Sequence, residues 1–199
     1  MTTNLTLRLA AIRDADQIAG IYAPYVLDTP ASFELIPPTA EEMSERIAET
    51  LEKTPWLVCT QGSEICGYAY ASLHRPRAAY RWSVNVSAYV RAGLQRQGIG
   101  RALYTALLGM LPLQGFLSAY AGITLPNAAS VGLHEALGFT PVGVYRDVGY
   151  KLGRWHDVGW WQRSLGEHPA APREPLVLQQ VLGLPEWQAA LAKGSALLH

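Results

Sequence analysis

Gln95-Arg96-Gln97-Gly98-Ile99-Gly100-Arg101-Ala102 joins an apolar, strand-like segment to an amphipathic helix through a turn that carries two glycines. Upstream, Trp82 to Val90 (WSVNVSAYV) has the β-branched and aromatic content of a half-buried strand. Downstream, Ile99, Ala102, Leu103, Ala106, Leu107, Met110 and Leu111 recur at helical spacing until Pro112 ends the pattern. The first N–H groups of such a helix have no intrahelical partner and form the positive end of its dipole, so they can receive a diphosphate. Gly98 and Gly100 let that backbone come close, because no Cβ stands in the way. The spacing Q-x-x-G-x-G differs from the dinucleotide fingerprint G-x-G-x-x-G and lacks the Gly-Lys-Ser/Thr ending of a triphosphate loop, which argues against both. Taken alone, the stretch fits a ligand-free strand-to-helix turn equally well.

The chain has 199 residues, 49% of them hydrophobic, and a formal net charge of +0. That is enough for one core, and it provides no electrostatic footprint for nucleic acid or an anionic membrane. The N-terminal MTTNLTLRLA has no leader pattern and no apolar run reaches a spanning length, so a soluble cytoplasmic protein is expected. Cys59 and Cys66 are expected to be reduced and buried. The five histidines show no metal-ligand spacing, and no metal is expected.

Outward from the loop, Leu5–Ala10 reads as a strand, and Asp14 with Gln17 resembles a capping box opening a helix that runs to about Leu27. Thr39 and Glu42 form a second such box. Trp56–Thr60 and Glu64–Leu73 suit a hairpin around Gln61-Gly62-Ser63, and Trp82–Val90 adds an antiparallel neighbour. Leu117–Ile123 is a strand, and Asn127 caps a helix ending at Leu137 with Gly138 beyond it. Val142–Leu152 and Trp155–Leu165 are paired strands turning at Gly153-Arg154. The order predicts an α/β fold with a mixed sheet and helices on both faces. Residues 1–165 form the domain; within 166–199, Gly166–Pro175 is a proline-rich linker and Leu176–His199 a short apolar tail. Pro185 starts a short helix there, and Leu178, Val181, Leu182, Leu184 and Trp187 predict that the tail packs on its own domain or on a partner subunit.

From Leu7 to Leu165 the chain resembles the GNAT superfamily of N-acetyltransferases, and within it the phosphinothricin acetyltransferase group. The likeness lies in ordered blocks: IYAPYVLDTPASFE, PPTAEEM, GYAYA, RPRAAYRW, the Gln95–Gly100 loop, ITLPNAASVGLHEALGF and GYKLGRWHDVGWWQ. The resemblance implies the GNAT fold, with a mixed, mostly antiparallel central sheet, acetyl-CoA as co-substrate, acetyl transfer to a primary amine, and a homodimer. The acceptor it implies is the α-amine of a small amino acid with an anionic tetrahedral head, of the phosphinothricin, arsinothricin or methionine sulfoximine and sulfone type. AYAGITLPN and ASLHRPRAAYRW look closest to the arsinothricin branch. Direct attack is expected, since neither cysteine lies in a nucleophile motif and no G-x-S-x-G occurs.

Carried over residue by residue, the resemblance gives the acetyl-CoA site as Ala88, Val90, Gln95, Arg96, Gln97, Gly98, Ile99, Gly100, Arg101, Asn127 and Ser130, with backbone N–H near Val90 polarising the thioester. Asn127 equally suits a plain N-cap. His134 stands where many relatives carry the tyrosine that protonates the departing thiolate, and a histidine titrates in the right range. The competing reading is a helix histidine satisfied by Glu135 or a backbone carbonyl. Arg75 and Arg77 resemble the substrate-anion residues, two guanidinium forks able to grip acidic heads, although the same pair suits a solvated loop. Phe33 resembles the residue packed on the substrate's aliphatic part, or else belongs to the core; Glu34 orients an arginine or caps a turn. Asn85 departs from the group, whose members usually carry an acidic base here, because an amide does not accept a proton. A held water acts as base, the amine arrives deprotonated, or the chain is weak. The alternative reading is therefore a catalytically weak or silent acetyl-CoA-binding protein.

Overall fold

The alternation of buried and exposed side chains along the apolar segments resolves into one sheet sandwiched between helices. The structure, a computed structural model, describes residues 5–198. Its strands are β1 (Leu5–Leu9), β2 (Trp56–Gln61), β3 (Glu64–Leu73), β4 (Ser83–Val90), β5 (Ser118–Leu125), β6 (Thr140–Lys151) and β7 (Arg154–Ser164), in the spatial order β1-β2-β3-β4-β5-β7-β6. The helices are α1 (Ala15–Leu27), α2 (Ala40–Leu51), α3 (Ile99–Met110), α4 (Ala128–Ala136) and α5 (Pro185–Ser195). Every neighbouring pair is antiparallel except β4 and β5. The sheet is thus mixed and mostly antiparallel, as expected.

Alternate residues of a strand face opposite sides, and the central strands use both. Trp56, Val58, Ile65 and Tyr68 pack with α1 and α2. Leu57, Ala69, Ala71, Val84 and Val86 pack with α3 and the tail. Cys59 and Cys66 are free and buried, and burial pushes the Cys59 thiol up to about 12. Among the described residues no helix is long and apolar enough to cross a membrane.

Thr39 and Glu42 make the expected capping box at α2, with the Glu42 N–H donating to Thr39 Oγ1 (3.2 Å) and the Thr39 N–H to Glu42 Oε2 (2.8 Å). The expected box of Asp14 and Gln17 is not formed. The Asp14 carboxylate accepts from Arg8 at 2.6 and 2.8 Å and from the Ala11 N–H at 2.8 Å, while Gln17 reaches Ser63 and Ile65 instead. A bidentate, charge-assisted pair outcompetes a local cap. The β6–β7 turn falls one residue earlier than expected, on Leu152 and Gly153, whose φ angles are +50° and +78°. A two-residue hairpin turn of this hand needs positive φ at both central positions, and Gly153 supplies the second.

The tail folds back on its own domain. Leu178, Val181, Trp187 and Ala190 join the α3 side of the core, and Gln114 Nε2 donates to Leu176 O (2.9 Å) to hold the returning chain. Gly194 permits the close crossing of α5 over α3, since a Cβ there would stand 2.6 Å from Ala102 O. Trp187 is 3% exposed. Trp187→Ala is expected to lower unfolding stability by about 3–5 kcal/mol, read from urea denaturation; a loss below about 1 kcal/mol would mean that the tail contributes little to the core.

Candidate active site

β4 and β5 pair in parallel from Ser83↔Ser118 to Asn85↔Tyr120 and then part. The parting opens a cavity of about 540 Å³, lined by Val86–Val90 of β4, Ala121–Thr124 of β5, the start of α3 and one side of α4. At its wide end the N-cap of α3 is Gly98, held at φ +81°. The first intrahelical bond there runs from the Ala102 N–H to Gly98 O, 2.9 Å. The amides of Ile99, Gly100 and Arg101 therefore lack an intrahelical acceptor and lie at the positive end of the helix. Arg96 is also left-handed, at φ +64°. At Gly98 the requirement for glycine is the backbone angle itself.

Ala88, Val90, Gln95, Arg96, Gly98, Ile99, Gly100, Arg101, Asn127, Ser130 and His134 all line this cavity; Gln97 does not. Gln95 Oε1 accepts from the Gly93 N–H at 2.9 Å and so shapes the loop. The Val90 carbonyl accepts from the Tyr25 hydroxyl at 2.7 Å. Asn127 caps α4, its Oδ1 accepting from the Ser130 N–H at 3.1 Å.

His134, 4% exposed, is held one turn further on. Its Nδ1 lies 2.8 Å from Ser130 O, and a carbonyl only accepts, so the proton of the neutral ring sits on Nδ1. Nε2 then accepts from the Tyr104 hydroxyl at 3.2 Å. Glu135 is engaged elsewhere, accepting from Trp161 Nε1 at 3.2 Å. Burial lowers the His134 pKa, and the bond to Ser130 O offsets only part of that shift. The ring is thus neutral more of the time than an exposed histidine. Tyr104 is absent from the sequence-based site. It sits in an apolar helix run, and its only signal is a position one turn past Gly100, on the same helix face.

Asn85, Phe33, Arg75 and Arg77 stand outside the cavity lining. Asn85 lies at the closed end of the split, where its Oδ1 is 2.7 Å from Nδ1 of His74. Arg75 and Arg77 follow on an exposed loop and have no ion pair among the described residues. Phe33 is in the loop between α1 and α2, packed on Gly149 so that a Cβ there would stand 2.2 Å from its ring, which lies 6.3 Å from that of His156. That loop is pinned by Lys151 Nζ donating to Ser32 O (2.6 Å), by Tyr22 with Ser32 and Glu34, and by the bidentate Arg46–Glu34 pair at 2.8 and 3.0 Å. Of the tryptophans near the hairpin, Trp161 is buried and Trp155 exposed. Among the described residues no group of three or more His, Cys, Asp or Glu is placed to hold a metal ion.

A sheet parted beside a helix N-terminus is the architecture expected of an N-acetyltransferase of the GNAT type. Residues 7–160 match the acetyltransferase (GNAT) domain family, and the chain belongs to that family and is an acetyltransferase. It is 41% identical to a phosphinothricin N-acetyltransferase of Streptomyces viridochromogenes, over 88% of this chain and 95% of that one. It is 35% identical to an L-methionine sulfoximine/L-methionine sulfone acetyltransferase of Salmonella typhimurium, over 83% and 98% of the two chains. The crystal structure of a phosphinothricin acetyltransferase from Sinorhizobium meliloti in complex with acetyl-CoA superposes with a TM-score of 0.82 at 38% identity, covering 88% of this chain and 96% of that one.

The buried His134 makes stability depend on pH in a definite direction. Its folded pKa lies below the unfolded value of 6.5, so the unfolded chain takes up the proton first as the pH falls. Its contribution is complete above that value and is lost as the pH drops toward the folded one. Urea unfolding at about pH 7.5 and about pH 5.5 is expected to show a larger loss for the wild type than for His134→Gln, with a difference in slope of at most about 1.4 kcal/mol per pH unit. Parallel losses would place the ring in water.

Proposed function

We propose that the chain transfers the acetyl group of acetyl-CoA to the α-amine of a small amino acid with an anionic tetrahedral head, of the phosphinothricin, arsinothricin or methionine sulfoximine and sulfone type. The observation that carries this reading is the continuity of the cavity from the amides at the start of α3 to Val86, the residue after the last β4–β5 pair at Asn85. A diphosphate suits the three amides beside Gly98, and an extended arm laid along β4 then leads toward Asn85. The chemistry of that arm supplies an activated acyl group. Ala88 and Val90 line it from β4, and Asn127 and Ser130 border it from α4.

The protein's own residues then have three tasks. Arg75 and Arg77, unpaired among the described residues, hold the acidic groups of the amino acid by forked, charge-assisted bonds. Phe33, fixed on Gly149, covers its aliphatic part. The His134–Tyr104 pair supplies the proton of the departing thiolate; His134 donates from Nε2 only as the imidazolium, and its lowered pKa makes that form more acidic than an exposed imidazolium. The amine attacks the thioester directly.

Thiol release from acetyl-CoA is the test, with phosphinothricin, arsinothricin, methionine sulfoximine, methionine sulfone and ordinary amino acids as acceptors. Saturable turnover with an acidic analogue is expected. Hydrogen bonds to charged groups contribute about 1.5–3 kcal/mol, so Arg75→Ala should lower kcat/KM for that amino acid about 10- to 100-fold while leaving the KM for acetyl-CoA unchanged. Acetyl-CoA binding with no thiol release from any acceptor would instead support a silent binding protein.

A homodimer is part of the same proposal. Val142, Val144, Tyr145, Val148, Tyr150 and Leu152 on or beside edge strand β6, with Trp155 opposite, are exposed apolar groups. An exposed edge strand of this composition is covered in a stable protein. Sedimentation velocity should show a dimer, converted to monomer by Val144→Glu with Tyr150→Glu; a wild-type monomer at micromolar concentration would overturn it.

A further inference from the structure

With an amide at residue 85, β4 offers no carboxylate to take the proton of the acceptor's ammonium group. The fold brings a different base to the same place. Ser72 and Asn85 are register partners in the β3–β4 pair, so His74 lies beside the start of β4, where its N–H donates to Ser83 O at 3.1 Å. Its ring turns onto Asn85, with Nδ1 and Oδ1 2.7 Å apart. An amide oxygen only accepts, so this bond puts the imidazole proton on Nδ1 and leaves the lone pair on Nε2. The pairing of an imidazole with an asparagine side chain is a known way to hold a histidine in the tautomer and orientation needed for proton transfer.

Three aromatic contacts fix the ring further. It stacks on Tyr120 with centroids 4.5 Å apart and meets Trp160 and Tyr80 edge-on at 6.0 and 5.9 Å. Tyr120 is the residue that faces Asn85 across the last pair of the β4–β5 ladder. The imidazole therefore stands at the closed end of the split, one residue before Arg75. We infer that His74 is the general base of the transfer and that Asn85 is its positioning residue, an inference that rests on the amino-acid acetylation proposed above.

In this step Nε2 of His74 takes one proton from the substrate's ammonium group. The freed nitrogen lone pair forms the C–N bond at the thioester carbon. The C–S bond breaks with its electrons going to sulfur, the nitrogen gives up a second proton to solvent as the amide forms, and the thiolate takes a proton from the His134–Tyr104 pair, which regains it from solvent. The proton on His74 leaves to solvent. The groups facing the ring are Asn85 from β4, Tyr120 from β5, Trp160 from β7 and Tyr80 from the turn 78–80, with Arg75 adjacent in sequence. The titratable or charged ones among them are two phenols and one guanidinium.

The test is the pH dependence of thiol release with phosphinothricin, from about pH 5.5 to about pH 9.5, for the wild type, His74→Ala and Asn85→Ala. His74→Ala is expected to lower kcat about 10²- to 10⁴-fold, to leave acetyl-CoA binding by calorimetry unchanged, to replace the acid limb by a rise with hydroxide, and to regain part of its rate from added imidazole. Asn85→Ala should give a smaller loss with the limb displaced. A histidine that only packs on Tyr120 would show neither the lost limb nor the rescue. In the wild type, nitrogen NMR of labelled histidine should find His74 protonated on Nδ1, and protonation on Nε2 would overturn the inference without any variant. Wild-type turnover with His74→Ala unaltered overturns the role of His74 alone; acetyl-CoA binding without turnover for any acceptor overturns the transferase reading and this inference with it.

Discussion

The sheet holds together as parallel neighbours at β4 and β5 for three residue pairs, Ser83↔Ser118 to Asn85↔Tyr120, and then comes apart. Backbone N–H and C=O groups inside a protein are obligatory hydrogen bonders, so strands that part in mid-sheet leave groups in need of other partners. Tyr25 meets part of that demand, with its hydroxyl on the Val90 carbonyl. The rest of the opening is a polar-edged cavity whose wide end faces the uncapped amides of α3. One departure from regular pairing thus sets where the cavity lies and which end of it meets the free amides of α3.

The rest of the molecule keeps that opening in shape. α3 is clamped from outside by α5, at a crossing close enough to require Gly194. On the other face, α1 and α2 pack on Trp56, Val58, Ile65 and Tyr68, and the loop between them is tied to β6 through Lys151 and Ser32. A transition state is favoured by groups already in place, since a preorganised site needs little rearrangement at the moment of reaction. The rigid parts are strands and helices, while the proposed substrate-anion arginines sit on an exposed loop beside them.

How much of this is legible in the chain depends on the range of each interaction. The α2 capping box is legible because Thr39 and Glu42 are three residues apart and nothing competes for them. The same pattern at Asp14 misleads, because Arg8 comes alongside on the sheet and takes the carboxylate. His134 is legible as a candidate from its helix and its surrounding motif. Its neutral state and its bond to Tyr104 are not, since that partner is 30 residues away on another helix. His74 stands in the ASLHRPRAAYRW block without a role assigned to it there, and only the β3–β4 register sets it against Asn85.

By itself the amino-acid sequence determined the order and kind of the elements, the glycine-bearing loop at α3 and most, though not all, of the residues it named around that loop: Gln97 stands outside the cavity and Tyr104 was not among them. These follow from side-chain periodicity and from backbone preferences that act within one turn of helix or one pair of strands. Only the tertiary structure decided that the tail closes on α3, where the sheet parts, and which nitrogen of His74 and of His134 carries the proton. Each of those depends on a partner delivered from a distant part of the chain, and a hydrogen bond with a carbonyl or amide oxygen exists only once folding has placed its two ends within 3 Å or so of each other.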